Sequence, residues 1–346
     1  MNLGTATIIR GDARSLPLAD NSVDLVVTSP PYFALRSYQD GGEHYDGQIG
    51  AEATPAEFVA ALLEVTRECV RVSKPSGSLW VNLGDKYAAD GPSGPQDATG
   101  ARATRSQAQT YGDSSRRQGR KSYGVPAKSL TGIPWRYALR CIDDLGLILR
   151  AEVIWSKPNG LPESVTDRVR RSHEQWFHFT LQPRYFSAVD EIREPHVTDP
   201  KVLARLTSIQ SDPDGHNTRN RVNEGRHKMG TEHPLGKLPG SVWTVPTEPL
   251  RVPDHLGVDH FAAFPTEWPK RIIQGWSPQG GTVLDPFGGT GTTAMVAKAL
   301  GRHGITVDMS ADYCRLAEWR TDDRDQLAKV LGIAKADGPT QEETLW

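Results

Sequence analysis

Val23-Asp24-Leu25-Val26-Val27-Thr28-Ser29-Pro30-Pro31-Tyr32 is a short apolar run that breaks into a polar turn carrying two successive prolines. The run is rich in β-branched residues and too short for a helix, so it reads as a buried strand. Proline offers no N–H to a sheet ladder and holds the residue before it extended, which ends the strand at this turn. Thr282-Val283-Leu284 has the same build and leads into Asp285-Pro286-Phe287-Gly288-Gly289-Thr290-Gly291-Thr292-Thr293. Each is a strand opening at its carboxyl end into a polar turn, which is where an open α/β sheet takes its ligands. Two halves of one site are therefore expected, separated by about 250 residues of sequence.

Working outward, short apolar runs alternate with helical patterns. Strands are expected at Ala6 to Ile9, ending at Gly11-Asp12, and at Ser78 to Leu83, Leu147 to Trp155, Phe177 to Leu181 and Gly304 to Val307. Thr54-Pro55-Ala56-Glu57 predicts a helix start, with Thr as N-cap, Pro in the first turn and Glu placed for a capping box. Phe58, Leu62, Val65 and Cys69 then share one face. Further helices are expected from Pro134 to Leu145, closed by Gly146, near Glu267 to Trp276, and from Gly291 to Leu300, ended by Gly301. Ser310 can cap a last helix past Leu316 towards Leu331. This alternation predicts an α/β fold with a doubly wound, Rossmann-like sheet.

The chain has 346 residues, enough for a sizeable core, and 37% of them are hydrophobic. No window approaches the roughly 18 apolar residues of a membrane span, and Met1 to Arg10 lacks a signal-peptide core, so a cytoplasmic protein without membrane contact is expected. Cys69, Cys141 and Cys314 lack metal-like spacing and read as core thiols, and no metal site is expected. The net charge of -2 gives no global sign of a nucleic-acid partner, so local clusters must supply one. Between Ala88 and Lys128 lie seven Lys/Arg (Arg102, Arg105, Arg116, Arg117, Arg120, Lys121, Lys128) against three Asp, in a Gly/Ser/Gln/Pro-rich stretch that reads as a mobile basic loop. Arg168, Arg170 and Arg171 form a second cluster, and Arg219, Arg221, Arg226 and Lys228 a third. Residues 195–240 are polar and aperiodic, and read as an inserted recognition region.

The turn Phe287 to Thr293 has no Lys at a P-loop position and lacks the full dinucleotide fingerprint. Its glycines allow close backbone approach, and the following helix start offers N–H groups and partial positive charge, suited to the carboxylate of an amino-acid-like cofactor. Asp308, ending the next strand, can accept from ribose hydroxyls. Together these favour a nucleoside cofactor without pyrophosphate, with S-adenosylmethionine the obvious candidate. At the other turn the prolines can present the Ser29 hydroxyl and the Ser29 and Pro30 carbonyls rigidly, while Tyr32 offers a flat face. Such a turn can accept from an exocyclic amino group of a base swung out of its helix.

Thr28-Ser29-Pro30-Pro31-Tyr32 together with Asp285 to Thr293 resembles the DNA amino-methyltransferases that act on cytosine N4 or adenine N6. The catalytic motif precedes the cofactor motif, which is similar to the permuted β-class order with a target-recognition region between. Gly11-Asp12 resembles the family's acidic turn near the cofactor adenine, and His260-Phe261-Ala262-Ala263-Phe264-Pro265 the segment that lines the methionine end. Trp155 to Ser164, with Arg168 and Ser172-His173-Glu174, is similar to a stretch in many members with this turn. The resemblance implies Ser29, Pro30, Pro31 and Tyr32 as catalytic residues. It implies Asp12, Thr28, Phe264, Pro265, Asp285, Pro286, Phe287, Gly288, Gly289, Gly291, Thr292, Thr293 and Asp308 at the S-adenosylmethionine site. Arg116, Arg117, Arg120, Lys121, Lys157, Arg168, Arg170, Arg171, His173, Arg219 and Arg221 are expected to contact DNA, with His173 equally readable as an ordinary packed histidine.

On this reading residues 1–87 are the catalytic half of the methyltransferase domain, 88–128 the basic loop and 129–194 the domain continued. Residues 195–244 are the target-recognition region, 245–333 the cofactor half and 334–346 a tail. An exocyclic amine donates its lone pair into the ring, so acceptors facing its N–H groups must draw density back to nitrogen before in-line attack on the methyl group. The absence of a Pro-Cys pair agrees with direct transfer. In the family pattern Ser in this turn accompanies cytosine and Asp or Asn accompanies adenine, so N4-cytosine is expected, with N6-adenine the alternative. Double-stranded DNA is the expected partner, with a cognate restriction endonuclease and a monomeric or homodimeric state left open. A catalytically silent, cofactor-sensing DNA-binding protein is the alternative from another class.

Overall fold

The computed structural model describes residues 3–34, 39–40, 43–44, 47–88, 124–160, 162–195, 233–253, 256–258 and 263–333. Its contacts define two compact units, one of residues 1–188 with 241–346 and one of residues 189–240. In the smaller unit a 3-10 turn at Val189–Ile192 is followed by Arg193, which donates to the Asp190 carboxylate and the Gly236 carbonyl.

The larger unit is built on an eight-stranded sheet. Its strands are β1 (Thr5–Arg10), β2 (Val23–Thr28), β5 (Ser73–Leu83), β6 (Ile148–Ser156), β7 (His173–Thr180), β8 (Val242–Thr244), β9 (Thr282–Asp285) and β10 (His303–Asp308), while β3 (Gln39–Asp40) and β4 (Glu43–His44) form a small separate hairpin. The order across the sheet is β1-β10-β9-β2-β5-β7-β6-β8. β7 runs antiparallel to both neighbours and every other pairing is parallel. Helices α1 (Pro55–Val72), α2 (Ile133–Leu145), α3 (Glu267–Trp276), α4 (Thr292–Ala299), α5 (Ala311–Asp322) and α6 (Arg324–Leu331) complete the fold.

The expected doubly wound α/β sheet is what forms. From β2 the chain passes through α1 to β5 on one side, and from β9 through α4 to β10 on the other. β2 and β9 are neighbours, with Leu25 opposite Val283 and Val26 opposite Leu284, so the winding reverses between them. That reversal leaves a crevice at the carboxyl ends of β2 and β9.

Local chemistry explains the elements. Thr54 accepts from the Glu57 N–H at 3.2 Å while Glu57 Oε2 accepts from the Thr54 N–H at 3.0 Å, closing the capping box that starts α1. Phe58, Val59, Leu62, Leu63, Val65, Cys69 and Val72 are buried along its inner face, each large side chain contributing about 1.5–3 kcal/mol. The expected last helix is two: Asp323 leaves the helix, accepts from the Gln326 N–H at 2.9 Å and caps α6, because a short acidic side chain satisfies a new helix start. β5 begins five residues before the expected Ser78, and β8 joins the sheet edge at a segment too short for periodicity to reveal.

Between β5, β6, β7, β8 and α3 lies an aromatic core. Trp268 stacks on Trp176 and Trp243 with centroids 5.1 and 4.9 Å apart, and Trp80 stacks on His178 at 4.5 Å. Burial holds the His178 imidazole neutral, its pKa lowered to about 3. Among the described residues no helix is long and apolar enough to cross a membrane and no His/Cys/Asp/Glu group could hold a metal ion.

Candidate functional site

The carboxyl ends of β1, β10, β9 and β2 converge on an open cleft. Gly11, Asp12, Ser29, Pro31, Pro286, Phe287, Gly289 and Asp308 all line it, so the two polar turns share one space. Pro30 is buried behind the turn.

Beneath the cleft the two turns are bolted together. The Thr28 hydroxyl donates to Asp285 Oδ1 at 2.6 Å, the Thr293 hydroxyl to Asp285 Oδ2 at 2.9 Å and the Phe287 N–H to Oδ1 at 3.1 Å. Asp285 is 1% exposed, and burial outweighs these bonds to raise its pKa to about 6. Thr28, Asp285 and Thr293 thus lie under the floor with their side chains turned to one another. Thr292 is buried too; the Arg320 guanidinium donates to Thr290 Oγ1 at 2.7 Å and Thr292 Oγ1 at 2.6 Å, bracing the turn from below.

Glycine is required where the turn passes the sheet and the helices. A Cβ on Gly288 would lie 1.4 Å from Thr306 Oγ1, and one on Gly291, whose φ is +72°, would lie 2.7 Å from Ala317 Cβ. Gly291 precedes α4, whose start faces the turn. Asp308 is fixed across the mouth, Oδ2 accepting from the Gly289 N–H and Oδ1 from the Ser310 N–H, both at 2.9 Å. Asp12 is held below the usual carboxylate range by hydrogen bonds from the Arg14 guanidinium, which lies 2.7 Å away.

On the other side of the cleft is a polar network. Ser29 Oγ donates to Asn82 Oδ1 at 3.1 Å. The Tyr32 hydroxyl reaches the same oxygen at 2.9 Å and Glu174 Oε2 at 2.7 Å. Lys157 Nζ pairs with Glu174 Oε1 and lies 4.1 Å from the centroid of the Trp155 ring. Burial, then the nearby Glu174 charge, pushes the Tyr32 hydroxyl well above its ordinary value, so it stays protonated. A Cβ on Gly84 would meet the Tyr32 ring at 2.7 Å, so a glycine there lets the ring approach β5's end closely. The arrangement offers acceptors and a fixed ring beside a cleft; the buried thiols Cys69, Cys141 and Cys314 stand outside its lining.

The basic residues expected at DNA have partners within the chain. Arg168 pairs with Glu163 at 2.7 Å and stacks 3.7 Å over the Tyr87 ring, Arg171 donates to Gln175 Oε1 at 3.2 Å, and Arg170 donates to the Gly160 carbonyl at 3.1 Å. His173 is exposed at the start of β7. Phe264 packs edge-on against Trp176 and the Pro265 carbonyl accepts from the Trp268 N–H, which places both beside the aromatic core and outside the cleft lining. Arg116, Arg117, Arg120, Lys121, Arg219 and Arg221 lie outside the described residues, as do His260 to Ala262.

Asn82 and Arg320 escaped sequence reasoning. Asn82 did leave a signal, a lone amide inside the apolar strand Ser78-Leu79-Trp80-Val81-Asn82-Leu83, where a buried polar side chain demands partners. Arg320 left none, since one arginine on a polar helix looks like solvated surface.

Known proteins share this layout. The sequence pattern of a family described as DNA methylase, acting at N6 or N4, matches residues 23–319. The Type II methyltransferase M.SmaI of Serratia marcescens is 34% identical over 323 residues, covering 92% of this chain and 91% of its own. M.XycI of Xanthomonas campestris pv. cyanopsidis is 34% identical over 335 residues, covering 96% and 92%. Among solved structures, the cytosine-N4-specific PvuII DNA methyltransferase superposes with a TM-score of 0.59 at 20% identity, covering 96% of this chain and 92% of that one. A Thermus thermophilus protein described as a putative DNA modification methylase, in complex with S-adenosyl-L-methionine, superposes with a TM-score of 0.51 at 22% identity, covering 95% and 94%. With the family pattern spanning most of the chain and relatives above 30% identity along nearly its whole length, this chain belongs to the N6/N4 DNA methylase family.

Proposed function

We propose that this methyltransferase carries a methyl group from S-adenosylmethionine to the N4 amino group of cytosine in double-stranded DNA. The observation that carries the reading is the single cleft lined both by Ser29 and Pro31 and by Asp12, Gly289 and Asp308. The cofactor fits what lines it. Asp308 and Asp12 offer carboxylate acceptors for ribose and adenine edges, Phe287 supplies an apolar face, and the close glycine turn before α4 suits an α-carboxylate. When bound there, the cofactor supplies an electrophilic methyl group on a sulfonium.

The chain's own residues do the rest by position. A cytosine swung out of the duplex presents its amine to the Ser29–Tyr32 turn, where Ser29 Oγ and the Pro30 carbonyl accept its N–H bonds and the Tyr32 ring stacks on the base. Held by those two acceptors, which draw density from its N–H bonds back to nitrogen, the amine would be aligned for in-line attack on that methyl group. Cytosine over adenine rests on Ser29, the residue that accompanies N4 targets in this family's pattern. Arg168, Arg170 and Arg171, with the basic segments outside the described residues, would meet DNA phosphates. Kinship with Type II methyltransferases supports a modification role beside a restriction endonuclease.

The test is direct. DNA methylated by the purified protein is digested to nucleosides and the modified base identified by mass spectrometry. N4-methylcytosine is expected. N6-methyladenine would overturn the base assignment, and unmodified DNA under conditions of measured cofactor binding would overturn the activity.

A further inference from the structure

We infer that Asn82 is a positioning residue that makes Ser29 an acceptor towards the target amine. The inference rests on the function proposed above and concerns a side chain that stands outside the cleft lining. Asn82 is 0% exposed on β5. Its amide is oriented by the 3.2 Å bond that Nδ2 donates to the Gln175 carbonyl on the neighbouring β7, which leaves Oδ1 facing Ser29 and Tyr32. Turning the amide over would set Oδ1 against that carbonyl, two acceptors face to face with no proton between them.

A serine hydroxyl carries one proton and two lone pairs, and its direction of donation is free unless a neighbour fixes it. Pointed into the cleft, that proton would bond to the lone pair of the amine nitrogen and withdraw the electrons needed for attack. Pointed at Asn82 Oδ1, 3.1 Å away, it leaves the oxygen lone pairs to accept an amine N–H and push density towards nitrogen. Asn82 Oδ1 has two lone pairs, and accepts from Ser29 and from the Tyr32 hydroxyl at 2.9 Å, which also lies 2.7 Å from Glu174 Oε2. Lys157, paired with the other Glu174 oxygen, holds that carboxylate in place. Asn82 Oδ1 is thus the acceptor that turns the Ser29 proton away from the cleft, and Tyr32 is held by Asn82 and Glu174.

A double-mutant cycle tests this. Asn82→Leu keeps the branched shape and removes the acceptor; kcat should fall about a hundredfold, as for loss of one preorganised bond at a reacting centre, while KM for DNA and the calorimetric affinity for S-adenosylmethionine stay near parental values. In a Ser29→Ala background N82L should add less than about threefold, because the hydroxyl it orients is gone. Asn82→Asp, kept protonated by burial with its O–H donating to the Gln175 carbonyl, leaves an oxygen facing Ser29 and should recover at least about tenfold over N82L. Equal losses in the presence and absence of Ser29, or no recovery by N82D, would overturn the inference. If N82L does not fold, Asn82→Val carries the same cycle with the same expectations. Near-normal turnover of S29A would instead strike the proposed role of Ser29 itself, so the two failures are distinct.

Discussion

Replacing Asp285 by Asn isolates what the carboxylate under the cleft contributes. In the native protein it takes protons from two threonine hydroxyls and one backbone N–H, yet its pKa stands at about 6 against 3.8 in water, because it is buried. Two units at about 1.4 kcal/mol each make the ionised group cost roughly 3 kcal/mol at neutral pH. The sign follows from proton binding: the native state holds an extra proton between about pH 3.8 and 6, so this stabilisation is complete below 3.8 and is lost as pH rises through 6. Asn can satisfy the same site, its oxygen accepting from Thr28 and Phe287 and its amide donating to Thr293 Oγ1, whose proton can turn to the Val27 carbonyl 3.3 Å away. Urea unfolding of both proteins at about pH 5, 6 and 7.5 measures the difference. The stability of D285N relative to the parent should improve by roughly 1–2 kcal/mol between about pH 5 and 7.5. A difference that does not change with pH would refute the raised pKa and the burial argument behind it.

Four further outcomes are expected. Ser29→Ala should lower kcat by about two orders of magnitude with S-adenosylmethionine affinity unchanged in calorimetry. Asp308→Ala should weaken that affinity by about tenfold, through loss of a charge-assisted acceptor and of the anchor for the Gly289 N–H, and unchanged affinity would remove Asp308 from the cofactor site. His178→Phe should protect the protein from acid: the native imidazole titrates near 3 and the unfolded one near 6.5, so the parent loses about 2 kcal/mol by about pH 5 that the variant keeps, as pH-dependent unfolding curves would reveal. Gly288→Ala should destabilise by about 3 kcal/mol through the Thr306 clash, and Thr306→Ala, which removes the colliding oxygen, should recover part of that loss in thermal melts.

The parts of this molecule that were legible in the sequence are those set by residues near one another in the chain. β2 and β9 announce themselves by β-branched runs, α1 by its Thr54–Glu57 capping box, and the two turns by prolines and glycines whose backbone demands are local. The crevice could be placed because a ligand site at strand ends depends on the type of fold and not on the sheet's detailed order. What could not be read depends on which strands become neighbours. Asn82 matters because β5 lies beside β2 and β7, and Arg320 because α5 passes beneath the glycine turn. Lys157 reads as free positive charge in the sequence, whereas Glu174 pairs with it once β6 and β7 are side by side.

The same distinction explains how a site can be written in reverse order along a chain without harm. A parallel strand is positioned by its neighbours' ladder bonds and by the helix that returns the chain to the amino end of the sheet, and neither records whether the strand was made early or late. β2 therefore stands beside β9 although Thr28 and Asp285 are 257 residues apart, and their 2.6 Å bond joins the proline turn to the glycine turn directly. Since in-line transfer loses much of its rate for a displacement of about 1 Å, a short bond between the two turns constrains the reaction more than any feature of chain order. A carboxylate that costs roughly 3 kcal/mol to bury is a sizeable part of a net folding stability of about 5–15 kcal/mol, and what it sets in return is a geometry shared by both turns.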